Sequence, residues 1–335
     1  MTVMTVDADR APRTPAISMA PYTLYGLAVS SDLPLPVPLA NGDLERAVDL
    51  SFRLAGDAAD APPTAGELIA WAPCAIHGAD ARVTRGDDGT WIWHRAIGTF
   101  LVSADARQVA VYPNATADPR AVGLTLAGPV ALYMLHRRGR PSLHATAVHY
   151  AGRTIAFLGE QGHGKSTMAA GFIADGATLL TDDALPLEDA GDVIYGHPGL
   201  PFMKVWTATA ECALGLTGEL PDLMDNYAKK YLDTEGRMRF ATSPLPLDAV
   251  LLLRRYDAVA AGRDDVAITR LDQADAVMAL LAQTSNRSYL LPREQAGFLA
   301  PYARLATSIP VAILSYPSGF EFLPDVRQRI LEYLA

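Results

Sequence analysis

Gly159-Glu160-Gln161-Gly162-His163-Gly164-Lys165-Ser166-Thr167 decides how the rest of the chain is read. The stretch fits G-x-x-x-x-G-K-[ST], and its surroundings are those the pattern requires. Residues 154–158 before it form a short, mostly apolar run that suits a buried strand. After it, Met168, Ala169, Phe172 and Ile173 recur at helical spacing, and Gly176 can end that helix. A strand, a glycine loop and a helix start in succession make a phosphate cradle. The glycines Gly159, Gly162 and Gly164 let backbone N–H groups turn inward, and the helix N-terminus adds partial positive charge. Lys165 is placed to reach β- and γ-phosphates, and Ser166 to ligate Mg²⁺. His163 occupies a variable position and is expected to face solvent. The plain alternative, a glycine-rich turn with an accidental lysine, leaves the flanking strand and helix unexplained. The stretch is read as a nucleotide-phosphate site.

Downstream, residues 177–181 read as the next strand, which ends at Asp182-Asp183. An acid at the C-terminal end of a strand lies where open α/β folds bind their ligands. One carboxylate can hold Mg²⁺, and the other can accept a hydroxyl proton. Adjacent side chains on a regular strand point to opposite faces, so both reach the nucleotide only if the strand stops there. Without the phosphate loop the pair would read as a turn or a helix N-cap. Upstream, His144 lies in a strand-like run over residues 143–150. An isolated strand histidine is commonly a core residue, but beside the loop strand it could orient a carboxylate or shuttle a proton. Lys229, Lys230, Arg237 and Arg239 cluster in a polar region. They fit either a solvated surface or a clamp for phosphate or carboxylate, with Arg254-Arg255 a weaker version of the same idea.

The remainder divides at about residue 118. Residues 1–20 read as a flexible tail. Residues 21–118 read as a smaller, mainly β domain, with strands expected at 24–29, 48–54, 90–93, 99–103 and 109–112 between turn-forming clusters. Trp91, Trp93 and Phe100 are expected as core or sheet-face aromatics. Residues 113–120 look like a linker, and 121–135 like a buried helix joining two domains. Residues 119–335 read as an α/β domain with a mixed sheet, further strands at 250–253 and 311–314, and helices at 274–283 and 325–334.

With 335 residues the chain is long enough for two cores, and its 50% hydrophobic and 19% charged content is a globular balance. A net charge of −9 argues against a general nucleic-acid partner. The two cysteines, Cys74 and Cys212, are too few and too far apart for a disulfide framework, and Cys74 with His77 lacks further metal ligands. No secretory signal or bilayer-long apolar run is present, so a cytoplasmic protein without a membrane is expected.

Together, His144 after Leu143, the loop at 159–167 and the run 180–183 resemble the C-terminal catalytic domain of HPr kinase/phosphorylase, best over residues 125–210. That domain is similar to phosphoenolpyruvate carboxykinase. The resemblance implies a P-loop kinase fold using ATP and Mg²⁺, with His144, Asp182 and Asp183 grouped around the nucleotide and an acceptor serine. Ala145 stands where a glycine usually follows the histidine, and the N-terminal half is unlike that enzyme's. The layout, including residues 22–27 and 33–36, is instead similar to HPr-kinase-like proteins that phosphorylate the C-terminal serine of lasso-peptide precursors. The expected partner is a serine-bearing peptide or protein. A kinase of a small hydroxylated metabolite and a nucleotide-sensing scaffold are the alternative readings.

Overall fold

The computed structural model describes residues 22–35, 47–56, 66–73, 80–217, 220–222, 229–234 and 238–335. The expected tail, Cys74, His77 and Arg237 lie outside these residues. Within them the chain is a mixed α/β protein with several sheets.

The N-terminal half forms one sheet from β1 (Tyr22–Leu24), β2 (Leu27–Ser31), β3 (Leu50–Leu54), β4 (Glu67–Pro73), β5 (Asp80–Gly86), β6 (Gly89–His94), β7 (Gly98–Val102) and β8 (Gln108–Pro113). Their spatial order is β1-β2-β3-β8-β7-β6-β5-β4. Phe52, Val83, Ile92, Phe100, Val109 and Val111 are buried, as the β-branched and aromatic content of these strands requires. The strand expected at 24–29 is broken by Tyr25 and Gly26, whose φ values of 55° and 76° make the two-residue turn between β1 and β2. β5 alternates only briefly, through Ala81-Arg82-Val83, before Arg85 takes the next position on the apolar face.

The expected single helix over 121–135 is buried but is not continuous. It divides into α1 (Pro119–Thr125), a π-helical turn at Leu126–Val130 and α2 (Ala131–Arg137). Gly128 leaves helical geometry (φ −95°, ψ −106°), and Pro129 has no N–H to return to the preceding turn.

The following segment carries β9 (Ser142–Leu143), β10 (Ala145–Tyr150), β11 (Arg153–Leu158), α3 (Lys165–Ala174), β12 (Thr178–Thr181), β13 (Leu185–Asp189), β14 (Ile194–Gly196), β15 (Phe202–Val205) and α4 (Thr207–Leu214). Then come β16 (Lys230–Asp233), β17 (Arg239–Phe240), β18 (Leu245–Pro246), β19 (Ala249–Tyr256), α5 (Ala258–Ala261), β20 (Ala267–Arg270) and α6 (Gln273–Ala282). The chain closes with α7 (Pro292–Ala296), α8 (Leu299–Ser308), β21 (Val311–Pro317) and α9 (Leu323–Leu334). The main sheet here has the order β17-β12-β10-β11-β19-β21-β20. It is mixed: β10 and β20 run against the other strands. The C-terminal ends of β11, β12, β19 and β21 and the N-terminal end of β10 therefore lie along one sheet edge.

Both faces of this sheet are covered. Ile155 and Phe157 of β11 join a core with Phe172, Leu251 and Val326, whereas Ala156 and Leu158 join a second core. That second core is continuous with the N-terminal sheet through Leu24, Phe52, Val83 and Phe100, and includes Leu126, Tyr133, Leu143 and Tyr302. Among the described residues no helix is long and apolar enough to cross a membrane.

Candidate active site

β11 ends at Leu158, and the glycine loop turns back over its tip. Gly159, Gly162 and Gly164 have φ values of 151°, 86° and 91°, which L side chains rarely adopt, and Gly164 caps α3. Gly164 is also crowded: a Cβ there would lie 2.9 Å from the Tyr316 hydroxyl, which donates to the His163 carbonyl at 3.1 Å. His163 itself is exposed. Lys165 is buried, with its ammonium donating to the carbonyls of Gly159 (2.6 Å) and Glu160 (3.3 Å). Burial lowers its pKa, while Asp183 and Asp182 oppose that shift. The desolvated ammonium is thus held within the loop by backbone oxygens. Thr167, next on α3, shares a hydroxyl hydrogen bond with Thr209 of α4 at 2.9 Å.

Strand register brings the acids and His144 to the loop. Ala145 pairs with Leu158, and Ala147 pairs with Thr181, so His144 lies between the loop and the end of β12. β12 stops at Thr181, and Asp183 adopts a left-handed φ of 85°. Strand alternation therefore does not apply to the two acids, and both line one cavity of about 560 Å³ with His144, Lys165, Ser166 and Thr167.

The two carboxylates have different surroundings. Asp182 is buried and accepts three hydrogen bonds: Thr146 Oγ1 at 2.6 Å and Ser166 Oγ at 3.0 Å on Oδ1, and the Lys204 N–H at 2.8 Å on Oδ2. Asp183 has a half-exposed side chain. Lys204 Nζ lies 2.5 Å from its Oδ2, and His144 Nδ1 lies 3.3 Å from its Oδ1. Burial raises the pKa of Asp183, but Lys204, His144 and Lys229 outweigh it, so the carboxyl is held below its usual range. Burial lowers the pKa of His144, against the pull of Asp183. A neutral ring with its proton on Nδ1 donates to the Asp183 carbonyl oxygen at 2.9 Å and leaves Nε2 as an acceptor.

The basic cluster divides. Lys229 lines the cavity, with its Nζ 5.9 Å from the ring centre of Trp206. Lys230 does not join it: it is ion-paired with Asp222 at 2.7 Å. Arg239 is also outside, because parallel pairing sets it opposite Thr178, at the start of β12 and away from the acids. Arg255, at the end of β19, lines the cavity. Sequence reading missed Lys204, Thr146 and Trp206. A lysine within the apolar run of β15 was the available signal for Lys204; Thr146 carried none. It also missed the N-terminal sheet's share of the cavity wall, which includes Tyr25 and His94. Tyr25 donates its hydroxyl to the Ala127 carbonyl at 2.8 Å, and burial together with the charge of Asp183 keeps it protonated. Cys212 is exposed and unpaired.

An oxygen donor set of Ser166 Oγ and Asp182 suits Mg²⁺. Among the described residues no group of three His, Cys, Asp or Glu side chains could hold a metal by itself.

No protein-family model matches the chain, and no curated protein matches its sequence. Among solved structures, the HPr(Ser) kinase/phosphatase from Coxiella burnetii is similar at 12% identity, over 58% of this chain and 99% of that one, with a TM-score of 0.30.

Proposed function

We propose that the protein is an ATP- and Mg²⁺-dependent kinase that transfers a phosphoryl group to a serine hydroxyl of a peptide or protein. The observation that supports this best is the convergence of Lys165, Ser166, Asp182, Asp183 and His144 on one cavity. A nucleotide sensor needs the lysine loop and one carboxylate for Mg²⁺, but it needs no second carboxylate to accept a proton.

In this reading the loop amides and Lys165 hold the phosphates, and Lys165 exchanges the loop carbonyls for phosphate oxygens. Ser166 and Asp182 would hold Mg²⁺, which would supply positive charge against the charge on the transferring group. Asp182 is committed to Ser166, Thr146 and the Lys204 amide, which leaves Asp183 as the acceptor of the serine proton. Each Asp183 oxygen keeps a lone pair beyond its contact with Lys204 or His144. His144 and Lys204 fix the direction of that carboxylate, so the attacking hydroxyl meets a preorganised base. Lys229 and Arg255 add positive charge for the phosphates. The resemblance of residues 143–183 and of the opening 22–36 carries the acceptor further, to the C-terminal serine of a lasso-peptide precursor.

The test is incubation with γ-labelled ATP and Mg²⁺, with a precursor peptide ending in serine, the same peptide ending in alanine, and a small-molecule cell extract. Label on the serine peptide alone is the expected result. Label confined to small molecules would replace the peptide by a metabolite, and ATP binding without transfer anywhere would leave the sensor reading.

A further inference from the structure

The same cavity reaches from the phosphate loop to the π-helical turn at Leu126–Val130, and in this far chamber one buried group lacks a partner. Ser285 is only 4% exposed, lines this cavity, and its Oγ makes no hydrogen bond. Buried hydroxyls are nearly always satisfied, so this one calls for a partner from outside the chain. Its place is set by backbone pairing. Leu143 bridges Thr284, the His144 N–H donates to the Gln283 carbonyl at 2.7 Å, and the Ser285 N–H donates to the Ser142 carbonyl at 2.9 Å. His144 and Ser285 are thus diagonal neighbours across an antiparallel pair, on one face.

The facing wall is the π-helical turn between α1 and α2. A side chain at Gly128 would meet nothing within 4 Å, so the kink opens space rather than filling it. Asn286, at a left-handed φ of 48°, ties the two walls together: its Nδ2 donates to the Pro129 carbonyl at 3.3 Å. Tyr25 holds the same turn from the N-terminal sheet through Ala127. Among the described residues, the charged side chains lining the cavity (Lys165, Asp182, Asp183, Lys204, Lys229 and Arg255) belong to the sheet-edge end. The chamber walls are apolar or neutral and polar, as with Leu132, Ser285 and Asn286.

We infer that this chamber is the acceptor subsite, and that it takes an uncharged peptide segment whose backbone amide hydrogen-bonds to Ser285 Oγ. An acceptor held there presents its hydroxyl toward His144 and Asp183. The assignment rests on the kinase reading for what happens to that hydroxyl, but binding itself can be measured separately.

The full chain, saturated with Mg²⁺ and a non-hydrolysable ATP analogue, is titrated with the peptide acetyl-Ala-Ala-Ala-Ala-Ser, whose serine is C-terminal, and binding is followed by broadening of the peptide's NMR lines. Ser285→Ala should weaken binding about tenfold, the loss expected for one buried hydrogen bond. Gly128→Leu should abolish it by filling the chamber. Thermal melts and affinity for the ATP analogue establish that each variant is folded. The inference is overturned if the wild-type chain does not bind the peptide, or if both folded variants bind it as the wild type does. Ser285-dependent binding without label transfer from ATP would uphold the subsite and sink the kinase reading.

Discussion

Asp182 and Asp183 are adjacent in sequence but have different surroundings, and the proposed mechanism gives them different work. The Asp182 carboxylate is buried under three hydrogen-bond donors, one of them the Ser166 hydroxyl at 3.0 Å. Asp183 is half-exposed and paired with Lys204 at 2.5 Å. Replacing Asp182 with Asn removes charge next to the metal position, so the Mg²⁺ concentration that gives half-maximal transfer should rise at least tenfold. Replacing Asp183 with Asn removes the proton acceptor, so the transfer rate should fall by about 10²- to 10⁴-fold while ATP affinity and Mg²⁺ dependence change little. Steady-state kinetics across a Mg²⁺ series separates the two; identical behaviour of both variants would contradict the division. The acid pair was legible in the sequence because it closes a strand one helix after the loop. The division between the two was not, because it depends on the left-handed turn at Asp183 and on Lys204, which arrives from another strand.

At the scale of elements, His144 is held in place partly through α2. His136, in the last turn of that helix, is 5% exposed, and its Nε2 lies 2.8 Å from Ser142 Oγ. Its ring meets Phe298 edge-on at 5.3 Å, and Nδ1 has no hydrogen-bond partner. Burial pushes its pKa down to about 4. The folded value lies below the unfolded one, so the unfolded chain takes up the proton first. The stability this histidine contributes is complete above about pH 6.5 and is lost as pH falls toward 4, by about 3 kcal/mol in all. Urea midpoints measured across that range should fall with pH, and His136→Leu should flatten the slope. What slope remains belongs to His144 and His197, whose pKa values burial also lowers, and toward pH 4 to carboxylates such as Glu294 and Asp183, which their partners hold below the usual range. An unchanged slope in the variant would show that His136 is not the group responsible. In the sequence this histidine gave no signal, and residues 121–135 read as one helix. Gly128 and Pro129 were visible there, but the kink they make is fixed by Tyr25 and Asn286, each distant along the chain.

Across the whole molecule, the boundary read near residue 118 falls where the N-terminal sheet ends and α1 begins. The packing does not stop there. One continuous core takes Phe52, Val83 and Phe100 from the N-terminal sheet and Leu126, Tyr133 and Tyr302 from beyond it. Polar contacts cross at the same place: Arg85 of β5 pairs with Glu294 of α7 at 2.9 Å and donates to the Tyr133 hydroxyl at 2.9 Å, and Arg138 donates to the Asp49 carbonyl at 3.2 Å. Arg137 joins Glu294 as well, so removing the N-terminal half would strip this carboxylate of one of its two cationic partners. Such contacts join residues far apart in sequence, which is why local patterns gave the elements and the loop but not the shared core. A unit cut at residue 119 would expose the face of α1 and α2 that the sheet now covers, and independent domains do not share a buried core in this way. Residues 119–335 expressed alone should therefore aggregate or melt without cooperativity, whereas the full chain should unfold in a single calorimetric transition whose van't Hoff and calorimetric enthalpies agree. Two resolved transitions, or a soluble 119–335 fragment that binds ATP as the full chain does, would show that the halves fold separately. The cavity wall contributed by Tyr25 and His94 would then be a docked surface rather than part of one folded unit.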